Sequence, residues 1–240
     1  MRSLKRGRSR REPTTRTAKR SRMDGAERQQ LILETAAMLF AQNGYAATTT
    51  EEIASAAGVR KGTLYHFYPT KELLLYDVLR RAIDLPQRSL TSILATTDDP
   101  VEVLRRFIRQ NIRDHHDLRP YMVTFTREPL SAVTDEGLYR DLNERRKQYQ
   151  LTWESALARA TESGAARRDI DQRLVTFGVL GMLNWMFKWY SPDGRCSPEE
   201  IADTFTKIAL EGLLTPSRHV DSDRDTSADS RARQSTPKRG

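Results

Sequence analysis

The sequence predicts an all-α chain in two parts, an N-terminal three-helix helix-turn-helix domain followed by a larger C-terminal helical domain. Three observations carry this. Apolar residues recur at helical spacing from residue 24 to about residue 215. Helix-starting Asp, Thr and Ser precede these runs, and Gly or Pro follows them. No stretch alternates apolar with polar residues over strand length, and no internal repeat is present.

Asp24 is a good N-cap, and behind it Ile32, Ala36, Leu39 and Phe40 form a one-sided apolar stripe that Gly44 ends. Thr49 and Glu52 make a capping box opening a short helix that stops at Gly58. A third helix is expected from Lys61 to Tyr68, broken by Pro69. Thr70 caps a fourth, whose Leu73, Leu74 and Val78 face inward until Pro86 ends it. Further helices are expected from Pro100 to about His116, from Tyr121 to Arg127 and from Asp135 to Ser163. Asp171 to Tyr190 reads as one helix, apolar on nearly every side and therefore buried all round. Ser197-Pro198-Glu199-Glu200 is a capping box with Pro at the first helical position, starting a last helix that reaches Leu214. The domains follow as residues 24–85 and 86–215.

The net charge of +8 over 240 residues is unevenly placed. Residues 1–23 hold ten Arg or Lys against Glu12 alone, residues 216–240 are net +2, and the body between carries −3. Both ends lack apolar periodicity and read as disordered. A basic N-terminal arm is a usual device for gripping polyanions through counterion release. No apolar run approaches the roughly 18 residues of a membrane span, and the start lacks the apolar stretch of a secretory signal. Cys196 is the single cysteine, so no internal disulfide forms and a reducing cytoplasm is expected.

Between Ile53 and Phe67 the spacing is that of a helix-turn-helix. Two short helices pack steeply only if their crossing is small and the turn can adopt positive φ. Ala54 supplies the first requirement and Gly58 the second. Ile53, Ala57, Val59 and Leu64 form the wedge that fixes the angle. Lys61, Gly62, Thr63, Tyr65 and His66 are left projecting outward, a set of donors, a close-approach point and an aromatic that suits a DNA major groove.

The run Gly44-Tyr45-Ala46-Ala47-Thr48-Thr49, with Ile53-Ala54, Ala57-Gly58-Val59, Lys61-Gly62-Thr63-Leu64-Tyr65-His66 and then Pro69, Lys71, Glu72 and Leu73, resembles the DNA-binding domain of TetR-family regulators. The resemblance is strong over residues 26 to about 85. It implies a sequence-specific DNA-binding transcriptional regulator, a homodimeric repressor released from a palindromic double-stranded operator by a small molecule. An activator, or a DNA-binding protein that senses nothing, would carry the same N-terminal motif. By the same resemblance Thr49 and Thr50 touch phosphate, Lys61, Gly62, Thr63 and Tyr65 approach bases and nearby phosphates, and Lys71 holds a phosphate at a helix N-terminus. Arg60 departs from the family's usual Ser or Thr cap and offers a guanidinium for phosphate or guanine. His66 is a candidate phosphate donor. Phe67-Tyr68 alters the family's usual order, in which a Tyr or His precedes a Phe, so no phosphate hydrogen bond is expected from position 67.

The resemblance also makes the C-terminal domain the effector-binding and dimerisation part. Its last two long helices are expected to pair with their copies, with Gly178 and Gly181 permitting close approach. Trp185, Asn184 and Lys188 are expected to line a cavity with Trp153, Tyr149, Met122 and Phe125, a mostly aromatic and sulfur-bearing set with a few polar groups. The segment from Trp185 to Glu200 is similar to a branch of fatty-acid and sterol-degradation repressors. A bulky apolar effector is therefore expected, with an acyl-CoA as the candidate and Arg127, Arg145 or Arg146 meeting its phosphates.

Enzyme chemistry finds no support. There is no glycine-rich phosphate loop after a strand, no nucleophile elbow and no His-Glu-x-x-His pair. His115 and His116 diverge on a helix and, with Asp114 and Asp117, read as a solvated helix end rather than a metal site. No metal or other cofactor is expected, and Cys196 reads as a free thiol.

Overall fold

The computed structural model describes residues 24–213, so the arm, the tail and Leu214 lie outside the described residues. All regular structure within them is helical: α1 (Gly25–Asn43), α2 (Thr50–Ala56), α3 (Lys61–Phe67), α4 (Lys71–Leu94), α5 (Pro100–Asp117), α6 (Arg119–Arg127), a 3-10 turn (Leu130–Ala132), α7 (Glu136–Glu162), α8 (Gln172–Asn184), α9 (Met186–Trp189) and α10 (Pro198–Leu213).

The caps act as the sequence indicates. Asp24 accepts from the Glu27 amide at 2.7 Å while Glu27 accepts from the Asp24 amide at 3.0 Å. Thr49 with Glu52 and Ser197 with Glu200 close the same reciprocal pairs. Gly44 leaves α1 at φ 85°, a backbone that side chains rarely tolerate. On α1, Ile32, Ala36 and Phe40 are sealed against the helix-turn-helix, but Leu33 and Ala37 are buried as well and Leu39 only half so. The second buried face packs against α6, where Thr124 donates to the Ala37 carbonyl.

Pro86 does not end α4. The helix runs on to Leu94 with Pro86 buried inside it. Pro86 has no N–H for the carbonyl of Ala82, yet α4 packs on α1, α5, α6 and α7, and that burial outweighs one missing bond. Leu74, Leu75, Val78, Leu79 and Ile83 join α1–α3, Tyr121, Met122 and Leu142 in one apolar core, so residues 24–85 do not close it alone. Leu90 belongs to a second core with α5, the C-terminal half of α7, and α8–α10. On the solvent side Arg145 bridges Asp84 of α4, at 2.8 Å, and Asp141 of α7, at 2.6 Å, and Tyr76 donates to Asp141 at 2.8 Å.

The helix expected over Asp171–Tyr190 is broken at Trp185. The chain is re-aimed there so that Met186 and Tyr190 turn into the second core. Nor is α8 buried all round within one chain: Thr176 and Leu183 alone are buried, while Leu174 is 69% and Trp185 57% exposed. Its inner face rests on α7 and α5, and its outer face has no covering element among the described residues.

The C-terminal end of α5 is not the solvated end that the sequence suggests. Asp114 and His115 are buried there, with Tyr149 of α7 and Asn184 of α8 as neighbours, although His116 and Asp117 remain exposed. Burial pushes the His115 imidazole down to about 4, against a smaller opposing pull from Asn184. Burial likewise pushes the Asp114 carboxyl up to about 6, although Gln110 donates to one of its oxygens at 2.9 Å; the other has no hydrogen-bond partner among the described residues. A carboxyl whose folded pKa lies above its unfolded value withdraws stability as pH rises from about 4 to about 6, and the loss is complete above that. Asp114→Asn should therefore raise unfolding stability at pH 8 by about 3 kcal/mol, a gain that fades towards pH 4 in urea titrations at the two pH values.

Candidate DNA interface and internal cavity

The helix-turn-helix is built by local signals. Val59 N–H reaches the Ala54 carbonyl at 2.9 Å, Gly58 turns the chain at φ 65°, and Ile53, Ala54, Ala57 and Leu64 are buried beneath the crossing with Val59 half-buried. Arg60 caps α3 with its backbone but no side-chain bond, as its replacement of Ser or Thr implies. Arg60, Lys61, Gly62, Tyr65 and His66 are exposed and Thr63 half-exposed, all on α3 or at its start. His66 rests edge-on against Phe67, which is half-buried and carries no hydroxyl. Thr49 is exposed, with its hydroxyl engaged by Glu52.

Besides Thr49, the expected DNA-contacting side chains of Thr50, Tyr65, Lys61 and Lys71 are already engaged within the protein. Thr50 is buried, its Oγ1 3.0 Å from both Glu51 and the Tyr65 hydroxyl. Lys61 Nζ is ion-paired with Glu51, a residue that the sequence analysis passed over. Lys71, half-buried at the start of α4, donates to the carbonyls of Tyr45 at 3.0 Å and Thr48 at 2.9 Å and lies 4.4 Å from the Tyr45 ring centre. It ties the α1–α2 turn to α4 and keeps one N–H for an outside partner.

A cavity of about 590 Å³ opens between α4, α5, α6, α7 and α8. Met122, Phe125, Tyr149 and Asn184 line it, as do Arg127 and Arg146. Trp153, Trp185 and Lys188 do not. Trp153 is sunk in the second core with its ring 5.2 Å from Phe107, Trp185 faces solvent at the α8–α9 break, and Lys188 is exposed beyond it. Arg145 is likewise taken up by Asp84 and Asp141, which hold its guanidinium even more firmly charged. In their place stand Phe177, Leu180 and Gly181 of α8, which the sequence assigned to a dimer helix, and Pro86 with Ile83 of α4. The i, i+3, i+4 spacing of the α8 trio is the signal that they share one face. On the α5 and α7 walls Asn111 donates to Tyr149 Oη at 2.9 Å, and burial pushes that phenol up to about 12.

The cavity reaches the DNA-facing half through two adjacent residues. Arg127 donates to the Ala41 carbonyl at 2.7 Å, and Glu128 accepts from the Tyr45 amide at 2.9 Å. Both also line the cavity. Among the described residues no group of three or more His, Cys, Asp or Glu is placed to hold a metal ion, and no helix is long and apolar enough to cross a membrane.

A short exposed helix set over a helix-turn-helix, on a core shared by α1–α4 with α6 and α7 and with a large cavity behind it, is the architecture of a helix-turn-helix DNA-binding regulator. Comparison with known proteins agrees. Residues 32–78 match the model of bacterial regulatory proteins of the tetR family, and residues 97–213 match a tetracyclin repressor-like C-terminal domain. The transcriptional repressor KstR2 of Mycobacterium tuberculosis is 28% identical over 185 residues, covering 76% of this chain and 90% of the relative. The solved ketosteroid regulator KstR2 of that organism superposes with a TM-score of 0.73 over 78% of this chain and 95% of its own, at 26% identity. AibR, solved with isovaleryl coenzyme A and operator DNA, gives a TM-score of 0.68 at 33% identity over 75% of this chain and 97% of its own. PfmR from Thermus thermophilus gives 0.70 at 33% identity over 77% and 99%. The chain belongs to the TetR family of helix-turn-helix transcriptional regulators.

Replacing Lys71 by Met removes both of its carbonyl bonds and should cost about 1–3 kcal/mol in urea unfolding. Unchanged stability would mean that its amine is not held by the α1–α2 turn.

Proposed function

We propose that this repressor acts as a homodimer on a palindromic operator and leaves it when an apolar effector of the acyl-CoA class enters the cavity. The observation that carries the reading is the double position of Arg127 and Glu128, in the cavity wall and on the end of α1. A ligand anion drawn to Arg127 competes with the Ala41 carbonyl for the guanidinium. The geometry of α1, and with it the helix-turn-helix, then follows cavity occupancy. The solved complex of AibR with isovaleryl coenzyme A and operator DNA supports this effector class, as do the apolar cavity walls and the presence of both Arg127 and Arg146 in the lining. Thr49, Arg60, Lys61, Gly62, Thr63, Tyr65 and His66 form the DNA face, with Thr50 and Lys71 acting mainly through what they hold in place. The basic arm adds sequence-independent grip, and the cytoplasm is the site of action.

Dimerisation accounts for the bare apolar surface. Leu174, Trp185 and Ile208, on α8, beside it and on α10, are each more than half exposed in one chain, and a two-fold pairing would cover them while setting two α3 helices about one DNA turn apart. Sedimentation should find a dimer that the Leu174→Asp, Ile208→Asp double variant splits into folded monomers. A double variant that remains dimeric would place the interface elsewhere.

Calorimetry against a series of acyl-CoA thioesters, free acids and coenzyme A tests the effector class. Saturable binding of at least one thioester is expected, and flat titrations throughout would refute it. With a binding thioester in hand, Arg127→Ala should reduce the effector's weakening of DNA binding, from the roughly 5- to 150-fold typical of allosteric coupling towards none.

A further inference from the structure

Tyr65 is the most prominent aromatic on α3, 38% exposed, and a free phenol can either donate to a phosphate or accept from a base. Here its proton is already committed. Glu51, in the first turn of α2, is an ionised carboxylate with Lys61 and Thr50 bonded to it, and it can only accept. Thr50 has a single hydroxyl proton, and the carboxylate is the stronger acceptor beside it. The remaining contact, Thr50 Oγ1 to Tyr65 Oη at 3.0 Å, is therefore one in which Tyr65 donates. Outward, the phenol shows lone pairs alone. It has nothing to give to a phosphate oxygen, which is itself only an acceptor.

We propose that Glu51 is a specificity-determining residue: through Thr50 it fixes Tyr65 as an acceptor, so that Tyr65 reads a base amino group, adenine N6 or cytosine N4, in the major groove. Glu51 is a positioning residue in this role. Its second effect is electrostatic. It neutralises Lys61 at the start of α3, where that ammonium would otherwise attract any phosphate backbone, and so holds down affinity for DNA of arbitrary sequence. The arrangement gives up general affinity for discrimination.

The inference rests on α3 being the DNA-reading helix, and the test separates the two. The full-length protein, Glu51→Gln and Tyr65→Phe are each used to select from a randomised duplex library. Each is then titrated with a scrambled duplex over a salt series. Wild-type sites should contain one position per half-site restricted to adenine or cytosine on one strand. Glu51→Gln should relax that position at least fivefold and bind the scrambled duplex several-fold more tightly, with a salt slope steeper by about one. Tyr65→Phe should relax the same position and leave the slope unchanged. Identical selection by wild type and Glu51→Gln, or relaxation at different positions in the two variants, overturns the role of Glu51 while leaving the DNA face intact. Failure of the wild type to select any sequence overturns both.

Discussion

The molecule depends on α4 being one unbroken rod. Its first turn holds the α1–α2 loop through Lys71, its middle supplies the floor of the first core through Leu75, Val78 and Leu79, and its far end enters the second core at Leu90. A rod buried in two cores cannot shift at one end without strain at the other, because packed interiors deform in discrete steps rather than continuously. The Arg145 bridge and the Tyr76 bond to Asp141 lock the same rod to α7 from the solvent side. Cavity and helix-turn-helix are thus connected twice, by the shaft of α4 and by the Arg127–Glu128 clasp on α1.

Legibility in the sequence follows how local each feature is. The helix-turn-helix could be read because its determinants lie within about 20 residues: the Thr49–Glu52 cap, Ala54 at the crossing, Gly58 at positive φ and Leu64 beneath. The cavity could not be read in the same way, since its lining is scattered over five helices. Tyr149 and Trp153 do share a face of α7, but they stand about 6 Å apart along its axis, enough to put one on the cavity and the other in solid core. Pro86 misled for a related reason. Its local chemistry ends helices, and only the surroundings of α4 show why it does not end this one. Glu51 escaped notice because an acid beside an expected phosphate contact resembles ordinary first-turn helix chemistry.

The exposed and buried charges behave differently. Glu51 and Lys61 are both more than half exposed, and their pairing matters for where charge is presented rather than for stability. Asp114 and His115 are the reverse. They cost stability where they lie, next to Asn111 and Asn184 in the cavity wall, which makes this the part of the second core least well satisfied by its own packing.

Pro86 and Ala82 both border the cavity. The rung absent from the α4 ladder therefore lies at the cavity wall, where the shaft holds itself with one backbone bond fewer. In the release mechanism proposed above, a guest would load the rod at the one place where its own backbone ladder is incomplete.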